Sequence, residues 1–272
     1  MSLITISRSM GCGGTKIASL VADELKLELY DDRRLQQEAI KMGIRSEELE
    51  SLDEKAPGFF DHLRGYRPEL YLDLMESVVY EVAQRGKGVI LGHGSQLLLR
   101  DFGCGLHVRI YASEKSRIQR LMTERGVSEK TAEKLIHKSD HERRGFLRFA
   151  FHMDWNDLSL YDLVINAEKM DTDGAAYLII EAGKFDKIKA CGLTALEAME
   201  RLSLTKKIEA ALLKNNVSPV YYHIEVPEKG QARISGFARS GEEKRRLLNV
   251  VKKVSGVSNI EDEVAILQPG GS

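Results

Sequence analysis

Ser7-Arg8-Ser9-Met10-Gly11-Cys12-Gly13-Gly14-Thr15-Lys16 is the stretch of this sequence whose residue types and spacing most readily do chemistry. Its closely set glycines let the backbone turn N–H groups inward around an anion. Leu3-Ile4-Thr5-Ile6 ahead of it reads as a buried strand. Ile17, Leu20, Val21 and Leu25 behind it fall at helical spacing, so the turn ends at the positive pole of a helix. Strand, glycine turn and helix in that order are the layout of a phosphate-binding loop. The usual pattern puts lysine after Gly13, the point charge on the transferred phosphates. Here that residue is Gly14. Thr15 stands where the magnesium-binding hydroxyl belongs, Lys16 comes one residue late, and Arg8 takes the place of the pattern's first glycine. A tight turn with no ligand is the plainer reading of the same residues.

Further along, Asp140-His141-Glu142-Arg143-Arg144 and Arg148 concentrate guanidinium groups, whose forks suit phosphate oxygens. His137 and His141 share a helix face beside Asp140, but no third ligand cluster accompanies them, which favours a solvated pair over a metal site. Trp155 and Tyr161 offer faces for base stacking or, more simply, for packing. Cys12 offers a thiol at a helix N-terminus or a small filler for the turn.

These residues need a scaffold, and the first 185 positions supply an α/β one. Strands are expected at Leu3–Ser7, Leu27–Tyr30, Gly88–Leu91, Leu106–Tyr111 and Asp162–Asn166. Helical stretches separate them, including Glu69–Gln84 with Tyr71, Leu74, Met75, Val78 and Val82 on one face. Five strands alternating with helices predict a parallel sheet covered on both faces, with ligands at the strands' carboxyl ends. Residues 186–202 read as a connector containing a short helix. Beyond it, a helix over Leu204–Asn215, two alternating strands, a helix over Gly241–Val254 and a strand over Ile260–Leu267 predict a small αββαβ unit at 203–268, followed by a frayed tail.

At 272 residues the chain has room for two domains. A formal charge of −1, with 30% charged residues, gives no bulk attraction to nucleic acid or to an anionic membrane. Cys12, Cys104 and Cys191 lack metal-ligand spacing and are expected to be free thiols in a reducing compartment. With no signal peptide and no apolar run of membrane-spanning length, a soluble cytoplasmic protein is expected.

Ile6-Ser7-Arg8 with Gly11-Cys12-Gly13-Gly14, Tyr30-Asp31, Gly88-Val89-Ile90-Leu91-Gly92, the arginine-rich segment, and Trp155-Asn156-Asp157 before Tyr161-Asp162-Leu163-Val164-Ile165-Asn166 resemble the cytidylate kinase-like family. This is a branch of the P-loop nucleoside monophosphate kinases, and the resemblance covers residues 1–185. It implies transfer of the γ-phosphoryl group of Mg-ATP to a phosphate oxygen of a nucleotide such as CMP. In that scheme Gly11, Cys12, Gly13, Gly14 and Thr15 cradle the donor, with Thr15 on magnesium. Arg143 and Arg144 close over the transferring group, Arg8 or Lys16 replaces part of the absent lysine's charge, and Asp31 and His93 lie on the acceptor side. The family resembles this chain in having Gly-Gly where related kinases have Gly-Lys. This chain departs from the family at Gly92-His93, where the family usually reads Gly-Arg. A nucleotide-binding sensor with little or no turnover is the alternative that this departure and the missing lysine favour.

Residues 203–268 resemble a BON domain, on Ile234-Ser235-Gly236 and on Val254-Ser255-Gly256-Val257-Ser258-Asn259-Ile260. The resemblance implies a small-ligand, protein or membrane contact. Without an export signal or an obvious apolar patch, a small ligand or a protein is the expected partner, with no stable membrane association.

Overall fold

A computed structural model describes residues 3–44, 68–185, 188 and 191–267. The expected tail from Pro269, and residues 186, 187, 189 and 190 of the expected connector, lie outside the described residues. The chain forms two compact units, one taking its described residues from positions 1–62 and 85–192, the other from 63–84 and 193–272.

In the first unit, β1 (Leu3–Arg8) is buried along its whole length, as suits an apolar run at the centre of a parallel sheet. It pairs in parallel with β3 (Gly88–Leu91) and β4 (Gly105–Tyr111), and β2 (Leu29–Tyr30) and β5 (Leu163–Asn166) flank these in the order β2-β3-β1-β4-β5. Its helices are α1 (Gly14–Leu25), α2 (Asp32–Lys41), α4 (Ser95–Leu99), α5 (Glu114–Arg125), α6 (Glu129–Phe151) and α7 (Thr172–Gly183). Ile17 and Val21 of α1 and Ile179 of α7 join Ile4, Ile6, Val108 and Ile165 of the sheet in one apolar core. All five expected strands are present, and β1's central place brings its carboxyl end, and the loop after it, between those of β3 and β4.

The second unit holds α3 (Pro68–Ala83), α8 (Leu193–Lys214), β6 (Tyr222–Glu228), β7 (Gln231–Ala238), α9 (Gly241–Lys252) and β8 (Asn259–Ile266). β6 runs antiparallel to β7, and β7 parallel to β8. Tyr222, Ile224 and Val226 turn inward at alternate positions onto Ile208 and Leu212 of α8 and Leu247 and Val251 of α9. The helix expected from Leu204 begins at Leu193 instead, absorbing the end of the expected connector, because Leu193, Ala195, Leu196, Ala198 and Met199 continue a run of strong helix formers. α3 packs along α8 in this unit. There Ser203 Oγ donates to the Ser77 carbonyl at 3.0 Å, and Lys207 meets Glu81 at 2.8 Å.

One charge cluster ties α3 to α8. Lys206 Nζ lies 3.1 Å from both Asp73 and Glu76 and 2.9 Å from Glu209, three carboxylates around one ammonium. Burial pushes the Asp73 carboxyl up to about 7; Lys206 pulls it down, and Glu209 and Glu76 add to the rise. A carboxyl raised in the folded state binds a proton that the unfolded chain has already released. Its contribution to stability is therefore full below the unfolded value near 3.8 and is lost as pH rises towards about 7. The melting temperature of the Asp73→Asn variant should accordingly vary less across that interval than the parent's. A parallel pair of melting curves would refute this assignment.

Cys104 and Cys191 are joined in a disulfide, which corrects the expectation of three free thiols, while Cys12 remains free and buried. Their separation of 87 residues gave no hint of it; the fold brings their Cα atoms to 4.8 Å. Among the described residues, no helix is long and apolar enough to cross a membrane.

Candidate functional site

The loop leaves β1 and is pinned to the sheet by its own backbone. Ser9 N–H donates to the Ile110 carbonyl of β4 at 3.1 Å, and Cys12 N–H returns to the Ser9 carbonyl at 3.3 Å. Gly11 and Gly13 adopt φ of 78° and 82°, which lets the chain reverse into α1. No side chain caps α1, so its first N–H groups present their positive ends at the loop. Thr15 and Lys16 are exposed in the first helical turn.

All three glycines of the loop are crowded where a Cβ would stand, Gly11 by the Arg117 carbonyl oxygen at 2.8 Å. A Cβ on Gly14 would lie 2.6 Å from Arg8 Cβ, and one on Gly13 would lie 2.7 Å from Arg120 Nη1. The Arg8 stem therefore runs against Gly14 and the Arg120 fork against Gly13. Arg120 Nη2 donates to the Ala167 carbonyl at 3.4 Å, whereas its buried Nη1 has no hydrogen-bond partner among the described residues. Arg117, one turn earlier on α5, is held by Asp140 at 2.8 and 3.1 Å and reaches the Met10 carbonyl at 3.4 Å. It ties α5 and α6 to the loop.

A further arginine lies beneath. Arg109 of β4 donates to Ser7 Oγ at 3.2 Å and Ser9 Oγ at 3.3 Å, and its guanidinium stacks 3.5 Å from the Trp155 ring centre. Burial lowers its pKa to about 10, with the Arg143 charge adding to the fall. Trp155 is itself buried and donates from Nε1 to Ser7 Oγ at 3.0 Å, so it braces the loop's stem and offers no face to a base. Burial likewise pushes the Cys12 thiol up, and its Sγ faces the Ile110 carbonyl, the behaviour of a turn filler.

The expected arginines of α6 point in different directions. Arg143 is buried and donates to Ser139 Oγ at 2.6 Å. Arg144 is exposed and donates from Nε to the Asp140 carbonyl of its own helix at 3.2 Å. On the acceptor side, Asp31 caps α2 by accepting the Arg34 N–H at 2.8 Å. It is the next residue, Asp32, that meets His93 Nε2 at 2.8 Å and Arg8 at 3.9 Å. His137 pairs with Glu114 at 2.9 Å near Glu133, and His141 is not in that group. The structure thus gathers Arg8, Gly11, Cys12, Gly13, Gly14 and His93 at one end of the sheet, and adds Asp32, Arg109, Arg117 and Arg120. The signal for the last two was an Arg-x-x-Arg pair on the helix after a strand.

Residues 3–169 match the cytidylate kinase-like family, and residues 202–268 match the BON domain. Over 189 residues the chain is 28% identical to a cytidylate kinase of Archaeoglobus fulgidus, covering 68% of this chain and 97% of that one. A cytidylate kinase of Pyrococcus horikoshii is 26% identical, with 66% and 86% covered. A solved structure of an uncharacterized protein from Eubacterium ventriosum superposes with a TM-score of 0.53 at 24% identity, covering 66% of this chain and 97% of that one.

Proposed function

Because the chain belongs to the cytidylate kinase-like family and carries a BON domain at residues 202–268, we propose that it is an ATP-dependent nucleotide kinase, passing the γ-phosphoryl group to a nucleotide acceptor of which cytidylate is the first to test. The observation that carries this reading is the cradle itself. Two glycines without room for a Cβ are backed by Arg8 and Arg120, and an uncapped helix opens onto them. Such a cradle supplies partial charges from backbone N–H groups and full charges from two guanidinium groups, without the usual lysine.

Phosphoryl transfer depends on positioning and electrostatic stabilisation, and the residues divide accordingly. Gly11 to Thr15 hold the β-phosphate through their N–H groups. Arg120 bears on the terminal phosphate and Arg8 on the same loop from below. Arg143 and Arg144, on α6, and Lys16, exposed on α1, are the remaining cations for the donor. The cradle suits a magnesium-bound triphosphate, with the exposed Thr15 hydroxyl as the side chain to hold the ion; magnesium supplies charge neutralisation across the phosphate oxygens. The BON domain would add a small-ligand or protein contact.

Steady-state ADP formation with a panel of nucleoside monophosphates, beside calorimetry with ATP, tests the reading. Turnover with a monophosphate is the expected result. Binding without turnover would favour the sensor, a reading that His93 in the place of arginine supports, and neither would remove both.

A further inference from the structure

We propose that this donor site also serves a hydroxyl acceptor, the sugar hydroxyl of a nucleoside, with Asp32 as the general base that takes its proton and His93 as the residue that positions Asp32. The inference rests on the phosphotransferase reading above and adds a second acceptor class to it.

Three neighbouring strands deliver the groups to one end of the sheet. Arg8 ends β1, Asp32 follows β2, and His93 follows β3, in the spatial order β2-β3-β1. The Asp32 carboxylate accepts from His93 Nε2 at 2.8 Å through one oxygen and faces Arg8 Nη2 at 3.9 Å through the other. Its side chain is 17% exposed, against 2% for His93, so the carboxylate faces outward and the imidazole stands behind it. That is the arrangement of a base with an orienting partner.

The backbone is strained to hold it. His93 sits at φ 58° between Gly92 at 84° and Gly94 at 65°, a left-handed turn that a non-glycine residue rarely enters. Phe151 at the end of α6 packs against the turn so closely that a Cβ on Gly94 would lie 2.4 Å from its ring.

A phosphate acceptor arrives as an oxyanion with no proton to lose, and it calls for a cation. A carboxylate paired with an imidazole does not supply that cation. A hydroxyl acceptor needs that pair. As its oxygen bonds to the γ-phosphorus, the O–H proton passes to Asp32, the bond from the γ-phosphorus to the bridging oxygen breaks, and ADP leaves with those electrons. Asp32 then returns its proton to solvent.

The test compares cytidine, deoxycytidine and adenosine with CMP as acceptors, identifying products by mass spectrometry. The expected result is a nucleoside monophosphate from at least one nucleoside. In Asp32→Asn, turnover with that nucleoside should fall by about 10²-fold or more relative to CMP, while ATP affinity by calorimetry stays within a few-fold. His93→Ala should lower kcat more than it raises KM for the nucleoside, and His93→Gln, which keeps a donor for Asp32, should restore part of it. CMP turnover without any nucleoside product overturns the inference and leaves the nucleotide kinase standing. Nucleoside product without CMP turnover does the reverse, and no transfer to either removes both. If Asp32→Asn lowers both acceptors equally, or abolishes ATP binding, the pair is structural and the inference fails.

Discussion

Replacing Arg120 by alanine is expected to lower phosphoryl transfer by about 10³-fold, the lower end of what a guanidinium contributes on a transferring phosphate. Its Nη1 is buried at the glycine loop, 2.7 Å from where a Gly13 Cβ would stand, and has no hydrogen-bond partner among the described residues. A buried donor left without an acceptor costs stability unless something else accepts from it. A phosphate oxygen above the loop would. Since Nη2 makes a single long hydrogen bond among the described residues, to the Ala167 carbonyl at 3.4 Å, the alanine variant should melt close to the parent while its ATP affinity and turnover fall together. Arg143→Ala and Arg144→Ala provide the comparison, because the sequence ranks them first and the geometry ranks Arg120 first. Parent-like kinetics in Arg120→Ala, measured by coupled ADP release, would return the donor's charge to α6.

The second large effect is expected from restoring the missing lysine. Gly14→Lys alone should weaken the protein by about 1–3 kcal/mol, as overpacking does, because the new Cβ would lie 2.6 Å from Arg8 Cβ and 3.2 Å from Cys12 Sγ. Arg8 Cβ is a stem atom that cannot swing aside. The two departures from the usual loop are therefore one: an arginine at position 8 and a lysine stem at position 14 compete for the same space. Arg8→Gly combined with Gly14→Lys should recover much of the stability lost by Gly14→Lys alone, a non-additivity that denaturant melts of the four proteins in the cycle would measure. Strict additivity would sink the exclusion argument.

The sheet was legible because β3 is a continuous apolar run and β1 and β4 carry apolar residues at half or more of their buried positions, and the turn was legible because Gly11, Gly13 and Gly14 stand between a strand and a helix. What escaped the sequence depends on three-dimensional neighbours. Asp31 and Asp32 are adjacent and chemically identical, and only the start of α2 decides that the first caps the helix while the second turns to His93. Arg109 interrupts an apolar strand, a legible oddity, but its stacking on Trp155 spans loops that periodicity does not connect. Arg143 and Arg144 are equally basic in sequence. A step of one residue around α6 buries the first and exposes the second. The Glu69–Gln84 helix was recognised from its apolar face, yet nothing in that face named α8 as its partner.

That pairing of α3 with α8 has a consequence for how the chain is made. α3 leaves the ribosome well before the helix it packs against, and at usual synthesis rates the interval between residue 83 and residue 214 lasts roughly ten seconds. Throughout it, the face of α3 that carries Ser77 has no α8 to pack against. Asp73, Glu76 and Glu81 lie on the same helix. Carboxylates that are costly to bury in the finished protein keep the waiting helix wetted and self-repelling, and the lysines that neutralise them arrive on the strand of polypeptide that ends the wait.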